Sequence, residues 1–253
     1  TFLPTNQCPR GNVERGQAQF ICYHTDDMAR TARVDVGDVP YHVLNRAVGK
    51  MQIFDKPKEY QAFIEILIDA KEKTGMRVLA FDIMPNHWHL ALYPKDDGDM
   101  GVFMHRLTNA HTRRVHAETG TTGTGPLYQG RYKSFMIEDD AHLLSVIKYI
   151  ERNPVRAKLV KRCEEWQWGS AWLRTHGNAM ATKRLIDESP VDLPRDYLRW
   201  INTHDKEYDM ERLRTSVQRG APFGGEAWVE RMIRKHNLLS TVRREGRPRK
   251  ETE

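Results

Sequence analysis

The chain has 253 residues and a mass of 29.5 kDa, which is enough for one well-packed domain and a smaller appendage. A formal net charge of +6 and a pI near 9.2 favour polyanionic partners. The three cysteines (Cys8, Cys22 and Cys163) form no CxxC pair, which argues against a disulfide framework or a thiolate zinc site. No apolar run approaches the roughly 20 residues that span a bilayer, and no secretory signal pattern is present, so a cytoplasmic protein is expected.

The first predicted elements end in a hairpin. Residues 39–46 are β-rich, and a helix is predicted over 58–74, with Gly75 typical of a helix stop. Residues 76–83 and 87–93 are predicted as strands. The link Met84-Pro85-Asn86 between them is so short that they must form an antiparallel hairpin.

The next elements complete an α+β pattern. A basic helix is predicted over 100–119, a mobile Gly- and Thr-rich loop over 119–130 and a strand over 131–137. A helix capped by Asp139 is then predicted to run to about Arg152, and Pro154 marks its end. The order βαββαβα indicates an antiparallel sheet with helices packed against it.

The remainder is predicted to be helical and basic. Residues 174–194 are polar and aperiodic, which indicates a linker. Two or three helical stretches are predicted after it, roughly over 195–202, 206–219 and 226–236. The tail over 241–250 carries five positive charges.

His87 and His89 begin the second strand of the hairpin with one bulky apolar residue between them. Period-two alternation aims both imidazoles at one face of the sheet, where they form half of a divalent-metal site. A bare HxH pair is also compatible with hydrogen-bonded or surface histidines.

Tyr149 and Asn153 lie four residues apart on the last helix of the pattern, at the edge of its apolar stripe. Facing the sheet, Asn153 offers an amide oxygen and Tyr149 a nucleophilic phenol. The alternative is a half-buried core tyrosine and an asparagine that ends the helix before Pro154.

Five strings in order resemble the REP-associated tyrosine transposases, bacterial relatives of the HUH-class insertion-sequence transposases. They are YHVLNRAVGKMQIF, MPNHWHLAL, LYQGRYKS, KYIERNPVRA and EWQWGSA. The resemblance covers about 33–173, the expected catalytic domain. Residues 1–32 are then an N-terminal extension without an assigned role, 174–194 a linker, and 195–253 a helical C-terminal segment with a basic tail.

The resemblance implies a ferredoxin-like α+β core in which His87, His89 and Asn153 hold a divalent metal, Mg²⁺ or Mn²⁺. It implies that Tyr149 is the nucleophile. It also implies a substrate of single-stranded or hairpin DNA from palindromic extragenic repeats, and a nucleoid-associated protein when bound to DNA. Monomer and homodimer remain equally open.

Further DNA contacts are predicted from residue type. Aromatic rings beside cations suit unpaired bases and phosphates, although a solvated edge is the alternative. The predicted set is Arg106, Arg113, Arg114, Tyr128, Arg131, Tyr132 and Lys133, joined by Arg247 and Arg249 of the tail.

Three functions compete. The first is a DNA transposase that nicks and rejoins single strands through a 5′-phosphotyrosine. The second is a catalytically silent regulator that binds DNA or RNA hairpins. The third is a rolling-circle initiator or relaxase, which the small size and the lack of a helicase segment disfavour. The presence of all four site residues favours the first.

Overall fold

The structure, a computed structural model, describes residues 33–204 and 207–242. Its strands are β1 (Tyr41–Arg46), β2 (Arg77–Met84), β3 (His87–Tyr93) and β4 (Lys133–Met136). The helices α1 (Pro57–Thr74), α2 (Asp99–Thr119) and α3 (Ala141–Glu151) each come after a strand, and the short α4 (Asn153–Arg156) comes directly after α3. The later helices are α5 (Ser170–His176), α6 (Ala179–Leu185), α7 (Tyr197–Asn202), α8 (Glu207–Arg219), α9 (Glu226–Lys235) and α10 (Leu239–Val242).

The sheet is antiparallel throughout, with strands in the spatial order β2-β3-β1-β4. This order, combined with the chain order βαββαβ, is the ferredoxin-like arrangement. The predicted fold class is therefore confirmed. The strand β3 lies in the centre of the sheet, between β2 and β1, so both of its edges are hydrogen-bonded to neighbouring strands.

The two faces of β3 have different neighbours. Trp88, Leu90 and Leu92 are fully buried in the cluster that includes the apolar residues of α1 and α2. Ala91 is buried on the other face, in the cluster of α3. Each large side chain buried in this way contributes about 1.5–3 kcal/mol. Because the pattern alternates with period two, His87 and His89 lie on the same face as Ala91, under α3.

Local signals determine where the helices begin and end. The carboxylate of Glu59 accepts hydrogen bonds from the backbone N–H groups of Asp55 and Lys56 at the start of α1, at 2.6 and 2.9 Å. Gly75 ends α1 in the left-handed region at φ 70°, as predicted. The cap of α3 is Asp140 rather than the predicted Asp139, since the Asp140 side chain accepts from the His142 N–H.

The predicted linker over 174–194 differs from the structure. It contains α6, and the side chain of Leu185 is buried in the main core. Asp187 forms an ion pair with Lys71 at 3.0 Å and accepts a hydrogen bond from the Val78 N–H at 2.7 Å. The segment therefore fastens α1 to the edge strand β2. Sequence periodicity missed this because the helix is only two turns long.

The segment over 220–225, between α8 and α9, extends the opposite edge of the sheet. The Phe223 N–H donates to the Met136 carbonyl at 2.9 Å, and the Glu138 N–H donates to the Phe223 carbonyl at 3.0 Å. The C-terminal helices are thereby tied to β4. Within the described ranges, no helix combines the length and the apolar character needed to cross a membrane.

Candidate active site

His87 and His89 lie side by side on β3, with ring centroids 5.0 Å apart. His87 is partly exposed, whereas His89 is 4% exposed. The ring of Trp88 between them lies in the opposite core, so the backbone geometry of the strand determines where both imidazoles point.

The Nδ1 atom of each histidine already has a partner. Nδ1 of His87 lies 2.6 Å from Oδ1 of Asn86, and Nδ1 of His89 lies 2.8 Å from Nε2 of His42. An amide oxygen can only accept, so His87 carries its proton on Nδ1. The Nε2 atoms are therefore the ring nitrogens that remain for a ligand at this site.

Burial keeps both rings neutral. Burial, and then the charge of Arg46, lowers the pKa of His87 to about 4. Burial, followed by the neighbouring His42 and His87, lowers the pKa of His89 well below its ordinary range. A neutral imidazole is the form that binds a metal ion, so the pair is suited to that task near pH 7.

Tyr149 on α3 lies above this pair. Its ring stands edge-on to His89, with centroids 6.1 Å apart, and edge-on to His42 at 6.0 Å. The guanidinium of Arg156 lies 4.2 Å from the centroid of the Tyr149 ring. The Tyr149 side chain is half-buried.

Asn153 lies at the first position of α4, just past the break in the helix at Arg152. Its Oδ1 accepts a hydrogen bond from Arg156 at 2.9 Å, and Arg156 also donates to the Tyr149 carbonyl. The Asn153 Nδ2 is buried and has no hydrogen-bond partner in the part of the chain that the structure describes. Arg156 therefore links the two residues predicted to act together.

The C-terminal end of α3 is fixed by Glu151, which is 1% exposed. Its carboxylate accepts hydrogen bonds from the hydroxyls of Ser170 and Tyr197, both at 2.6 Å, and lies 3.2 Å from the Arg174 guanidinium. A buried carboxylate with three donors is firmly held, so the helix that carries Tyr149 has little freedom to shift.

Sequence reasoning missed two residues of this face. His42 on β1 is fully buried, and burial lowers its pKa to about 3. Asp82 on β2 is the cross-strand partner of His89 and is also fully buried. Burial raises the pKa of Asp82 well above its ordinary range, and the Glu151 carboxyl acts in the same direction. Strand alternation gives the face of each residue, but strand pairing is needed to bring them to the histidines.

The family of this part of the chain follows from a direct comparison. The family described as "Transposase IS200 like" matches residues 35–153, a range that contains β1 to β4, both histidines, Tyr149 and Asn153. Residues 35–153 belong to the IS200-like transposase family. The resemblance to a transposase family that the sequence motifs indicated is thereby confirmed.

Two solved structures are similar to this chain. A REP-associated tyrosine transposase bound to a REP hairpin is 17% identical with a TM-score of 0.48, and the match covers 56% of this chain and 82% of that chain. A candidate transposase from Deinococcus radiodurans R1 is 21% identical with a TM-score of 0.34, covering 49% of this chain and 96% of that chain. No curated protein matches the chain.

The residues predicted to contact DNA fall into several environments. Arg106 pairs with Asp69 at 2.8 Å and Arg114 with Glu118 at 2.9 Å, all with substantial exposure. The other predicted cations in the described ranges are also exposed: Arg113, Arg131 and Lys133. Tyr132, between Arg131 and Lys133, is half-buried. Arg247 and Arg249 lie outside the described residues.

Tyr128 corrects one of these predictions. Its side chain is 6% exposed and belongs to the core, where its hydroxyl accepts from the Trp88 indole N–H at 2.9 Å and lies 2.6 Å from Nδ1 of His111. A buried ring offers no face to a base. The glycine-rich loop before it suggested exposure, but a bridge between Ala47 and Tyr128 anchors the end of that loop to the sheet.

A second group of possible metal ligands lies at the other end of α3. Glu138, Asp140 and His142 have ligand atoms within 4.8 Å of one another. Their contacts are structural: Asp140 caps α3, and Glu138 accepts from the Gly225 N–H at 2.7 Å.

Proposed function

We propose that this protein is a metal-dependent enzyme that nicks single-stranded DNA at hairpin-forming palindromic repeats and transfers the cut strand through a 5′-phosphotyrosine. The observation that carries the proposal is the position of Tyr149. Its ring lies 6.1 Å from His89 and above two neutral imidazoles whose Nε2 atoms remain for a ligand.

His87, His89 and Asn153 fit a divalent ion, for which we propose Mg²⁺ or Mn²⁺. Two imidazole nitrogens and an amide oxygen make a mixed donor set, and Asn153 Oδ1 keeps a second lone pair beside its bond to Arg156. When bound, such an ion would polarise the scissile phosphate and stabilise charge on the leaving oxygen.

Tyr149 supplies the covalent step of the proposed reaction. Its phenol oxygen loses its proton to water and forms a bond to phosphorus, while the bond from phosphorus to the 3′ oxygen breaks. The leaving 3′ oxygen takes a proton from water, so charge and atoms balance. The phosphotyrosine keeps the energy of the phosphodiester, and a second 3′-OH reverses the step to join strands.

The surface around the site supports a polyanionic substrate. Arg131 and Lys133 flank the half-buried ring of Tyr132, next to the loop that follows α2. Cations beside an aromatic ring suit phosphates and an unpaired base. The proposal of a hairpin from palindromic repeats rests on the five motifs that resemble the REP-associated transposases.

The test is a nicking assay on a denaturing gel. Single-stranded oligonucleotides carry the palindromic repeat nearest the gene with its flanking bases, and each is incubated with and without Mg²⁺. We expect wild-type protein to cut at one position only with Mg²⁺, and His89→Ala to bind the hairpin without cutting. His105→Ala, which removes an exposed histidine of α2, is the matched control and should cut normally. Binding without any cut by wild-type protein on every hairpin would instead support a silent regulator.

A further inference from the structure

His42 is a buried histidine whose position on the sheet brings it to a proposed metal ligand. The register pairs His42 with Ala91 and Leu44 with His89, so His42 and His89 are diagonal neighbours on one face. The two rings are 5.0 Å apart, and Phe135 packs on the other side of His42 at 4.9 Å. The imidazole is therefore held in place on both sides.

Core packing alone does not account for an imidazole at this position. A buried polar ring costs free energy unless its atoms are hydrogen-bonded, and a leucine or phenylalanine would fill the space without that cost. In the described part of the chain, Nδ1 of His42 has no hydrogen-bond partner, and Nε2 has one, the Nδ1 of His89 at 2.8 Å. The polar contact of His42 is thus directed at His89.

One proton lies between these two rings, and its location decides what His89 can bind. A neutral imidazole carries a single N–H. If His42 donates, His89 carries its own proton on Nε2, and that atom cannot bind a cation. If His89 donates from Nδ1, its Nε2 keeps a lone pair that faces the site.

We propose that His42 is a positioning residue: it accepts the Nδ1–H of His89 and so holds His89 in the tautomer whose Nε2 binds the divalent cation. This rests on the metal site of the proposed function. Histidine ligands commonly donate their other N–H to an acceptor that sets ring orientation and tautomer. His87 has the same arrangement with Asn86, so each ligand histidine has its own side-chain acceptor.

The test measures cation binding by the full chain without DNA. Mn²⁺ is titrated into wild-type, His42→Phe and His42→Gln protein, and the free ion is followed by electron paramagnetic resonance. We expect His42→Phe to weaken Mn²⁺ binding by about 10- to 100-fold. His42→Gln should recover most of the loss, because its amide oxygen can accept the same N–H. His111→Phe removes a buried histidine on the other side of the sheet and should leave binding unchanged.

Thermal denaturation verifies that each variant is folded, and nuclear magnetic resonance of protein with ¹⁵N-labelled histidine reads the tautomer directly. With Mg²⁺ bound, His89 should carry its proton on Nδ1. Three results would overturn the role of His42 while leaving the metal site intact. They are Mn²⁺ affinity at the wild-type level in His42→Phe, an equal loss of Mn²⁺ affinity in His42→Gln and His42→Phe, and a proton on Nε2 of His89. Absence of Mn²⁺ binding by wild-type protein would overturn the proposed site itself, and this role with it.

Discussion

Tyr128 lies on the sheet face opposite the candidate site, and the substitution Tyr128→Phe tests whether this residue stabilises the core or contacts DNA. It deletes one hydroxyl and keeps the ring. The hydroxyl is buried and joins Trp88 to His111, with distances of 2.9 and 2.6 Å. The indole N–H and the imidazole would both be left without this partner, and both rings are buried away from water that could replace it.

The expected loss follows from these two hydrogen bonds. Leaving a buried polar group without a partner costs about 1–3 kcal/mol. Two such groups, allowing for relaxation of the rings, give a loss of about 2–4 kcal/mol in the free energy of unfolding. Hairpin affinity of the folded variant should be unchanged, because the ring of Tyr128 does not reach the surface.

The assay is urea denaturation followed by tryptophan fluorescence, with Tyr93→Phe as the matched control. The Tyr93 ring packs under the Arg77 guanidinium at 3.8 Å, and its hydroxyl has no hydrogen bond within the described residues, so its removal should cost little. Equal stability of the two variants, or a loss of hairpin affinity confined to Tyr128→Phe, would refute the core assignment.

Three further predictions concern other parts of the chain. Asp82 holds its proton to higher pH in the folded state than in the unfolded chain, so its contribution to stability is full below about pH 4 and falls as pH rises through the folded-state pKa. Asp82→Asn should therefore make stability in urea less dependent on pH above about 4, and parallel pH profiles of the two proteins would contradict this. Asp187→Ala removes the ion pair to Lys71 and leaves the Val78 N–H without its acceptor. The free energy of unfolding, measured in urea, should fall by about 1–3 kcal/mol. An unchanged free energy of unfolding would show that residues 174–194 are a plain linker. Deleting 241–253 should weaken hairpin binding and lower the log–log salt slope by roughly 0.7–0.9 for each phosphate that the tail neutralises in the intact protein, whereas an unchanged slope would show that the tail neutralises none.

The central hairpin could be predicted from the sequence because its signals are local. The alternation of His87, Trp88 and His89 sets the face of each side chain, and the two-residue turn at Pro85 and Asn86 permits only an antiparallel pair. The C-terminal end of α1 was equally clear, since the signal of Gly75 acts within one helical turn.

The rest of the site depends on contacts between distant segments. His42 lies 47 residues before His89, and only the register of β1 against β3 brings the two rings together. The prediction for Tyr128 was wrong for the same reason, because its burial comes from Trp88 and His111 rather than from its glycine-rich neighbours. The short helix α6 has too few turns to show periodicity, and Asp187, which anchors it, binds residues more than 100 positions earlier.

The most direct measurement of the central claim is the covalent adduct of Tyr149. DNA is labelled on the 3′ side of the scissile phosphate, the side that becomes attached through its 5′ phosphate, and reactions are resolved under denaturing conditions. Wild-type protein with Mg²⁺ should give a labelled adduct, as should the control Tyr132→Phe. Tyr149→Phe, which keeps the ring near His89 and lacks the attacking oxygen, should bind the hairpin and give none. An adduct that persists in Tyr149→Phe would contradict the account and place the nucleophile on another residue.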